Sequence, residues 1–159
     1  MSWFDLQTRF HLDLWPDVVF DAMVDPRGWL DGWTRVSDVE RLAVGGQDGE
    51  GAVHRGSVRA ALPYTLTWAM TTVRTVRPTL IEWEARGDLE GHGLWRMTRA
   101  DGGTDVHFRW QVRVTPGWMR TLAPLARPAL RWSHDRAMRD GVDTLADYLG
   151  ASVSGFTTG

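Results

Sequence analysis

PGWMRTLAPLARPALRWSHDRAMRDGVDTLADYL, residues 116–149, is the one long helical pattern in the chain. On a wheel of about 100° per residue, Met138, Gly141, Val142, Leu145 and Leu149 fall within about 60° of one another. His134 lies in the middle of that face. Arg136, Arg139, Asp140, Asp143 and Asp147 lie opposite, with Arg136/Asp140 and Arg139/Asp143 at the i,i+4 spacing that supports an exposed helix. A helix with one apolar face that follows a run of strands exists to cover a sheet. A titratable ring on its covered side points to a cavity between helix and sheet. Thr115-Pro116 supplies a cap and a first-turn proline. Pro124 and Pro128 predict a kink near 124–128, with the main helix from about 128 to 149. Leu122, Leu125, Ala129 and Trp132 point nearly opposite to Leu145. They either pack against the first strand or the short helices, or they form a contact with another chain.

Upstream of this helix the pattern is β. Phe4, Leu6, Thr8, Phe10, Leu12 and Leu14 alternate with Asp5, Gln7, Arg9, His11 and Asp13, which predicts a half-buried strand. Pro16 opens a short helix through Val19, Phe20, Met23 and Val24, and Asp25-Pro26 ends it. A second short helix is expected over 27–33, with Trp29 and Trp33 one turn apart. Strands follow at 36–44, 52–60, 64–76, 80–86, 90–99 and 105–114. Leu62-Pro63, Arg77-Pro78-Thr79 and Asp101-Gly102-Gly103 separate them, and connections this short require antiparallel neighbours. The order predicts an α+β fold. A curled, seven-stranded antiparallel sheet grips the long helix, and two short helices plug one end. Residues 1–149 read as a single domain and 150–159 as a mobile tail.

Composition excludes several chemistries. The 18 basic residues are all arginine, so lysine Schiff bases and a phosphate-loop lysine are out. There is no cysteine, hence no disulfide, thiolate nucleophile or cysteine-ligated metal. The five histidines show no HxxxH or HExxH spacing, and no metal or cofactor is expected. The glycine-rich loop GGQDGEG at 45–51 lacks the phosphate-loop pattern. A net charge of −2 gives no argument for nucleic acid or an anionic membrane. No apolar run approaches a membrane span and the N-terminus does not read as a signal peptide, so a soluble cytoplasmic protein without stable membrane insertion is expected. Ten tryptophans in 159 residues either fill a thick core or line a pocket.

Certain stretches carry a family likeness: Leu62-Pro63-Tyr64, Gly87-Asp88-Leu89-Glu90-Gly91-His92-Gly93-Leu94-Trp95, Gly103-Thr104 leading to Trp110, Trp118-Met119, Pro124, Pro128, Arg131-Trp132 and His134 to Met138. In these the chain resembles the START/polyketide-cyclase superfamily over residues 5–149, and within it the bacterial SRPBCC polyketide cyclase/dehydrase-like proteins. The resemblance implies the helix-grip fold shared with the birch-pollen allergen. It also implies a hydrophobic-ligand cavity more firmly than any reaction, because the superfamily includes aromatase/cyclases, lipid and sterol carriers, hormone receptors and coenzyme Q-binding proteins.

His134 is the leading candidate for chemistry, as a general acid/base or a ligand contact, the alternative being a structural histidine. Arg131, one turn earlier, either meets an anionic ligand or an acid, or snorkels to the rim. On the sheet, His54, Arg59, Glu82, His92 and Arg96 are the polar candidates, and alternation sends only some of them inward. Glu82 and Glu84 oppose Ile81, Trp83 and Ala85 and are expected outside; the pattern does not place His92, Leu94 and Arg96 against Trp95 and Met97. Trp83, Trp95 and Trp110 are candidate cavity walls, Met138 joins them from the helix, and Tyr64 either presents its hydroxyl or anchors a strand. Three functions follow. The chain binds a small hydrophobic or aromatic molecule; or it is a cyclase or dehydratase using His134; or it is an interaction module, such as a homodimer, built on Leu122, Leu125, Ala129 and Trp132.

Overall fold

Alternating apolar residues and short turns produce the sheet. The computed structural model describes residues 3–30, 32–33, 36–59 and 64–159, so the Leu62-Pro63 break lies outside the described residues. The elements are β1 (Phe4–Leu12), α1 (Pro16–Val24), α2 (Arg27–Leu30), β2 (Val36–Ala43), β3 (Val53–Arg59), β4 (Thr65–Val76), β5 (Leu80–Gly87), β6 (Leu89–Ala100), β7 (Gly103–Val114), α3 (Gly117–Leu149) and β8 (Val153–Thr158). The strands form one antiparallel sheet in the order β2-β3-β4-β5-β6-β7-β1-β8. This is the expected α+β, helix-grip arrangement, with eight strands where the sequence pattern predicts seven.

The additional strand is the segment expected to be a mobile tail. β8 pairs with the free edge of β1, and Gln7 and Gly159 exchange two backbone hydrogen bonds of 3.0 Å. Phe156 packs on the main core beneath Arg139, whose guanidinium lies 4.9 Å from the ring. VSGFTT holds too few apolar residues to show an alternation. Its strand character comes from the edge it completes.

α3 also departs from expectation. The helix runs unbroken from Gly117 to Leu149 with Pro124 and Pro128 inside it. Arg120, Pro124 and Pro128 all lie on its exposed side, so the carbonyls of Arg120 and Pro124, deprived of i+4 donors, can turn to water. α3 packs against β1, β7, β8 and α2. The face predicted to be covered is buried at Met138, Gly141, Val142 and Leu145. The other apolar set does not pack against β1 or the short helices: Leu122, Ala129 and Trp132 are exposed and Leu125 is 84% accessible.

Two glycines set the close approaches that shape the interior. Gly93 on β6 sits between Trp83 on β5 and Trp110 on β7 in the strand register. A Cβ there would lie 2.4 Å from Cζ2 of Trp83, so the indole lies flat across the glycine and meets Trp110 edge-on at 5.4 Å. Gly141 on α3 leaves the same kind of space for Trp33, whose Cζ2 would lie 2.9 Å from an added Cβ. The apolar interior divides into two clusters. One joins α1, α2 and the C-terminal half of α3 to the sheet; the other joins Met119 and Ala123 to Phe4, Leu6, Leu66, Leu89, Val112 and Val114.

Candidate functional site

Between these clusters lies a cavity of about 280 Å³, walled by the inner faces of β1 to β7, by α1 and α2, and by α3. Its volume is just below the usual range of roughly 300–1,000 Å³ for small-molecule sites. Its aromatic wall follows from strand alternation. Trp68, Trp83, Trp95, Phe108 and Trp110 project inward from four adjacent strands. Phe108 lies 4.4 Å from Trp95, and Trp110 lies 5.9 Å from Trp68, measured between ring centroids.

Several buried ring nitrogens in this wall lack hydrogen-bond partners. His134 enters from α3 with its side chain 13% accessible and its ring 6.2 Å from Trp110. Neither of its ring nitrogens has a hydrogen-bond partner. The Asp135 carboxylate stands 3.7 Å from Nδ1, beyond hydrogen-bond reach. Burial pushes the His134 pKa below the ordinary histidine value; Asp135 opposes that shift and the Arg131 charge adds to it. The ring is therefore neutral near pH 7, with one nitrogen to donate and one to accept. The indole Nε1 atoms of Trp33, Trp68 and Trp110, all from cavity-lining residues, are buried without partners too. Buried polar atoms are normally satisfied, and a group of unsatisfied ones around a single cavity fits a ligand that brings the missing partners.

A second polar point lies near the corner between α1 and α2. His54 on β3 lines the cavity and is 4% accessible, with Nε2 buried and without a hydrogen bond. Asp25 Oδ1 is 3.6 Å from that nitrogen. Arg27 grips both Asp25 oxygens, with Nε 2.9 Å and Nη2 2.8 Å away, and Arg41 Nη1 stands 3.4 Å from Oδ2. The Arg27 hydrogen bonds hold the Asp25 pKa down to about 2. Burial lowers the His54 pKa, the Asp25 charge opposes this, and Arg27 and Arg41 add to it.

Of the residues singled out from sequence, the structure brings His54, Arg59, Trp83, Trp95, Trp110, His134 and Met138 to one cavity. The others stand elsewhere. His92 is exposed on the outer face of β6, opposite Glu84 and Gln111, because alternation from the inward Trp95 sends it outward. Tyr64 turns edge-on to Trp118 at 5.2 Å and packs with the smaller core cluster, as a strand anchor would. Arg131 is half-buried on the flank of α3, where its charge is felt by Asp5 and His134, and it is not part of the wall. Glu84 and Arg96 are exposed, and Glu82 faces outward towards Arg74 at 3.7 Å. Sequence reasoning misses Trp33 and Trp68. For Trp68 the signal is present in the alternation Leu66, Trp68, Met70, Thr72; for Trp33 it is absent, because the residue follows α2 outside any periodic element. Among the described residues no group of three histidine or carboxylate side chains could hold a metal.

The sequence profile described as "Polyketide cyclase / dehydrase and lipid transport" matches residues 4–150. The chain belongs to this family. The match spans β1 to the end of α3 and so includes every wall of the cavity. No curated protein matches the sequence. Similar folds occur in TTHA0849 from Thermus thermophilus, at 15% identity and a TM-score of 0.79, with 91% of this chain and 96% of that one covered. The Zhui aromatase/cyclase from Streptomyces sp. R1128 gives 19% identity and a TM-score of 0.73, covering 94% and 93%. The di-domain ARO/CYC BexL of the BE-7585A biosynthetic pathway gives 17% and 0.71, covering 92% of this chain and 50% of BexL. At these identities the likeness is one of fold. No helix of the described residues is long and apolar enough to cross a membrane.

Proposed function

We propose that this protein binds a small hydrophobic, oxygen-bearing molecule in the cavity between the curled sheet and α3, and that it works in the cytoplasm. One observation carries the reading: an aromatic-walled cavity holds His134, Trp68 and Trp110, whose buried ring nitrogens have no protein partner. Burial of apolar surface supplies the affinity. The indoles can only donate, so the ligand offers oxygen acceptors to them, and His134 takes either a carbonyl or a hydroxyl. Native mass spectrometry of the protein isolated from its own host identifies the molecule. His134→Ala then tests the contact: binding that is unchanged by the substitution makes His134 structural.

The enzymatic reading, a cyclase or dehydratase, is favoured by the family and by the neutral state of His134, which is the form that accepts a proton. Turnover of a polyketide-like substrate, abolished in His134→Ala with binding kept, would establish it. The exposed set Leu122, Leu125, Ala129 and Trp132 favours self-association through α3. A Leu125→Glu chain that sediments as the wild type does would remove that reading.

A further inference from the structure

We propose that the first half of α3 seats this protein on an anionic lipid surface. The inference is independent of what fills the cavity. Trp118, Leu122, Leu125, Ala129 and Trp132 follow one another at intervals of four, three, four and three residues. That spacing puts them on one stripe of the helix, about 80° wide and about 21 Å long. The stripe is open to solvent: Leu125 is 84% accessible, Trp132 61%, Trp118 46% and Leu122 45%. From the other flank of the helix Arg127 donates a hydrogen bond of 3.2 Å to the carbonyl of Trp3, whose side chain is exposed as well.

Charge decides what can cover this surface, because α3 is electrically divided. Residues 117–134 hold Arg120, Arg127 and Arg131 and no acid, whereas residues 135–149 hold four aspartates and two arginines. The net charge of −2 conceals that division. None of the three arginines forms an ion pair with a carboxylate among the described residues. Asp5 and Glu90, on the adjoining sheet, are held by Arg109 and Arg113. A second copy seated on the same stripe would bring two cationic faces together, which works against the self-association considered above. A lipid surface with acidic headgroups meets both features. Leu125 enters the acyl boundary, the indoles of Trp118 and Trp132 rest at headgroup level, and the arginines extend to the phosphates. The helix lies on such a surface and does not cross it, since no helix of the described residues is long and apolar enough to span.

Co-sedimentation of the full chain with vesicles of phosphatidylcholine, with and without phosphatidylglycerol, tests this, alongside analytical ultracentrifugation without lipid. The expected result is partition about tenfold stronger onto the anionic vesicles, weakened by added salt. Leu125→Glu alters a side chain already in solvent, and it should lower that partition about tenfold while near-ultraviolet circular dichroism stays that of the wild type. Arg120→Glu should lower it too, whereas Arg74→Glu, an equal change of charge on β4 beside Glu82, should not. Equal partition onto both kinds of vesicle, none onto either, or partition that Leu125→Glu leaves unchanged overturns the proposal. So does a wild-type dimer that Leu125→Glu splits, since a second copy would then cover the face.

Discussion

The two faces of the sheet treat their polar groups in opposite ways. On the outer face of β1 and β7, Arg109 holds Asp5 through two hydrogen bonds of 3.0 and 2.6 Å, and His107 lies 3.0 Å from the Gln7 side-chain oxygen. On β6 and β7, Arg113 grips Glu90 at 2.7 Å. These pairs stand where water already solvates them, and each is complete within the protein. On the inner face, where water is scarce, both ring nitrogens of His134, Nε2 of His54 and the indole nitrogens of Trp68 and Trp110 are left without partners. Placing satisfied pairs where they contribute least and unsatisfied groups where they cost most is a poor way to stabilise a fold. It is what the proposed binding role calls for, in which a ligand would supply the missing bonds.

Substitutions that strike each face test this contrast, and the largest effect belongs to the interior. Gly93→Val would drive a side chain into the Trp83 ring, which is flanked by Phe108 and Trp110. A loss of about 3 kcal/mol in urea unfolding is expected, together with loss of ligand binding. A mild effect with binding intact would mean that the aromatic wall rearranges freely.

Next in size is His134→Leu, which removes two unsatisfied nitrogens from the interior. Stability should rise by about 1 kcal/mol while affinity for the natural ligand falls about tenfold. Loss of stability and of binding together would break the contrast, because His134 would then be holding the fold.

Acid should act mainly through the inner face. His134, His54 and His107 all have pKa values lowered by burial, so below the ordinary histidine value the unfolded chain binds more protons than the folded one. Their stabilising contribution is therefore complete above about pH 6.5 and is lost progressively as pH falls through it. Asp25, lowered to about 2, acts in the same direction at a later stage, as pH falls from the ordinary 3.8 towards 2. His134→Leu should flatten the decline in melting temperature between pH 7 and 5 more than His107→Gln does.

The smallest effect belongs to the outer face. Asp5→Asn breaks an exposed ion pair and should cost under about 1 kcal/mol, with ligand affinity unchanged. A larger cost, or a change in affinity, would show that the two faces are coupled through β1.

Much of this is legible in the chain. Alternation in 4–14 and 105–114 locates β1 and β7, and the turns at 77–79 and 101–103 fix antiparallel neighbours. The helical wheel puts Met138, Gly141, Val142, Leu145 and His134 on one covered face, because that periodicity is local to a single element. The last strand escapes such a reading because an edge strand needs only a partner edge and backbone groups. The unbroken α3 escapes it because the cost of a proline in a helix depends on whether its freed carbonyls reach water. His92 and Arg131 show a further limit, since a side chain near an inward residue in sequence can still stand on the other face or on the flank.

Spacing along the chain thus settles the α+β class, the antiparallel order of the central strands and the covered face of the long helix. Each depends on intervals of about one to four residues, over which side-chain direction follows from backbone geometry. Folding in three dimensions settles the rest. It gathers nine aromatic rings and two histidines around one cavity, fits Trp83 and Trp33 against Gly93 and Gly141, and stands Asp25 beside His54. Those juxtapositions join residues from about 10 to more than 100 positions apart, and they arise from the curl of the sheet around α3, which no local spacing encodes.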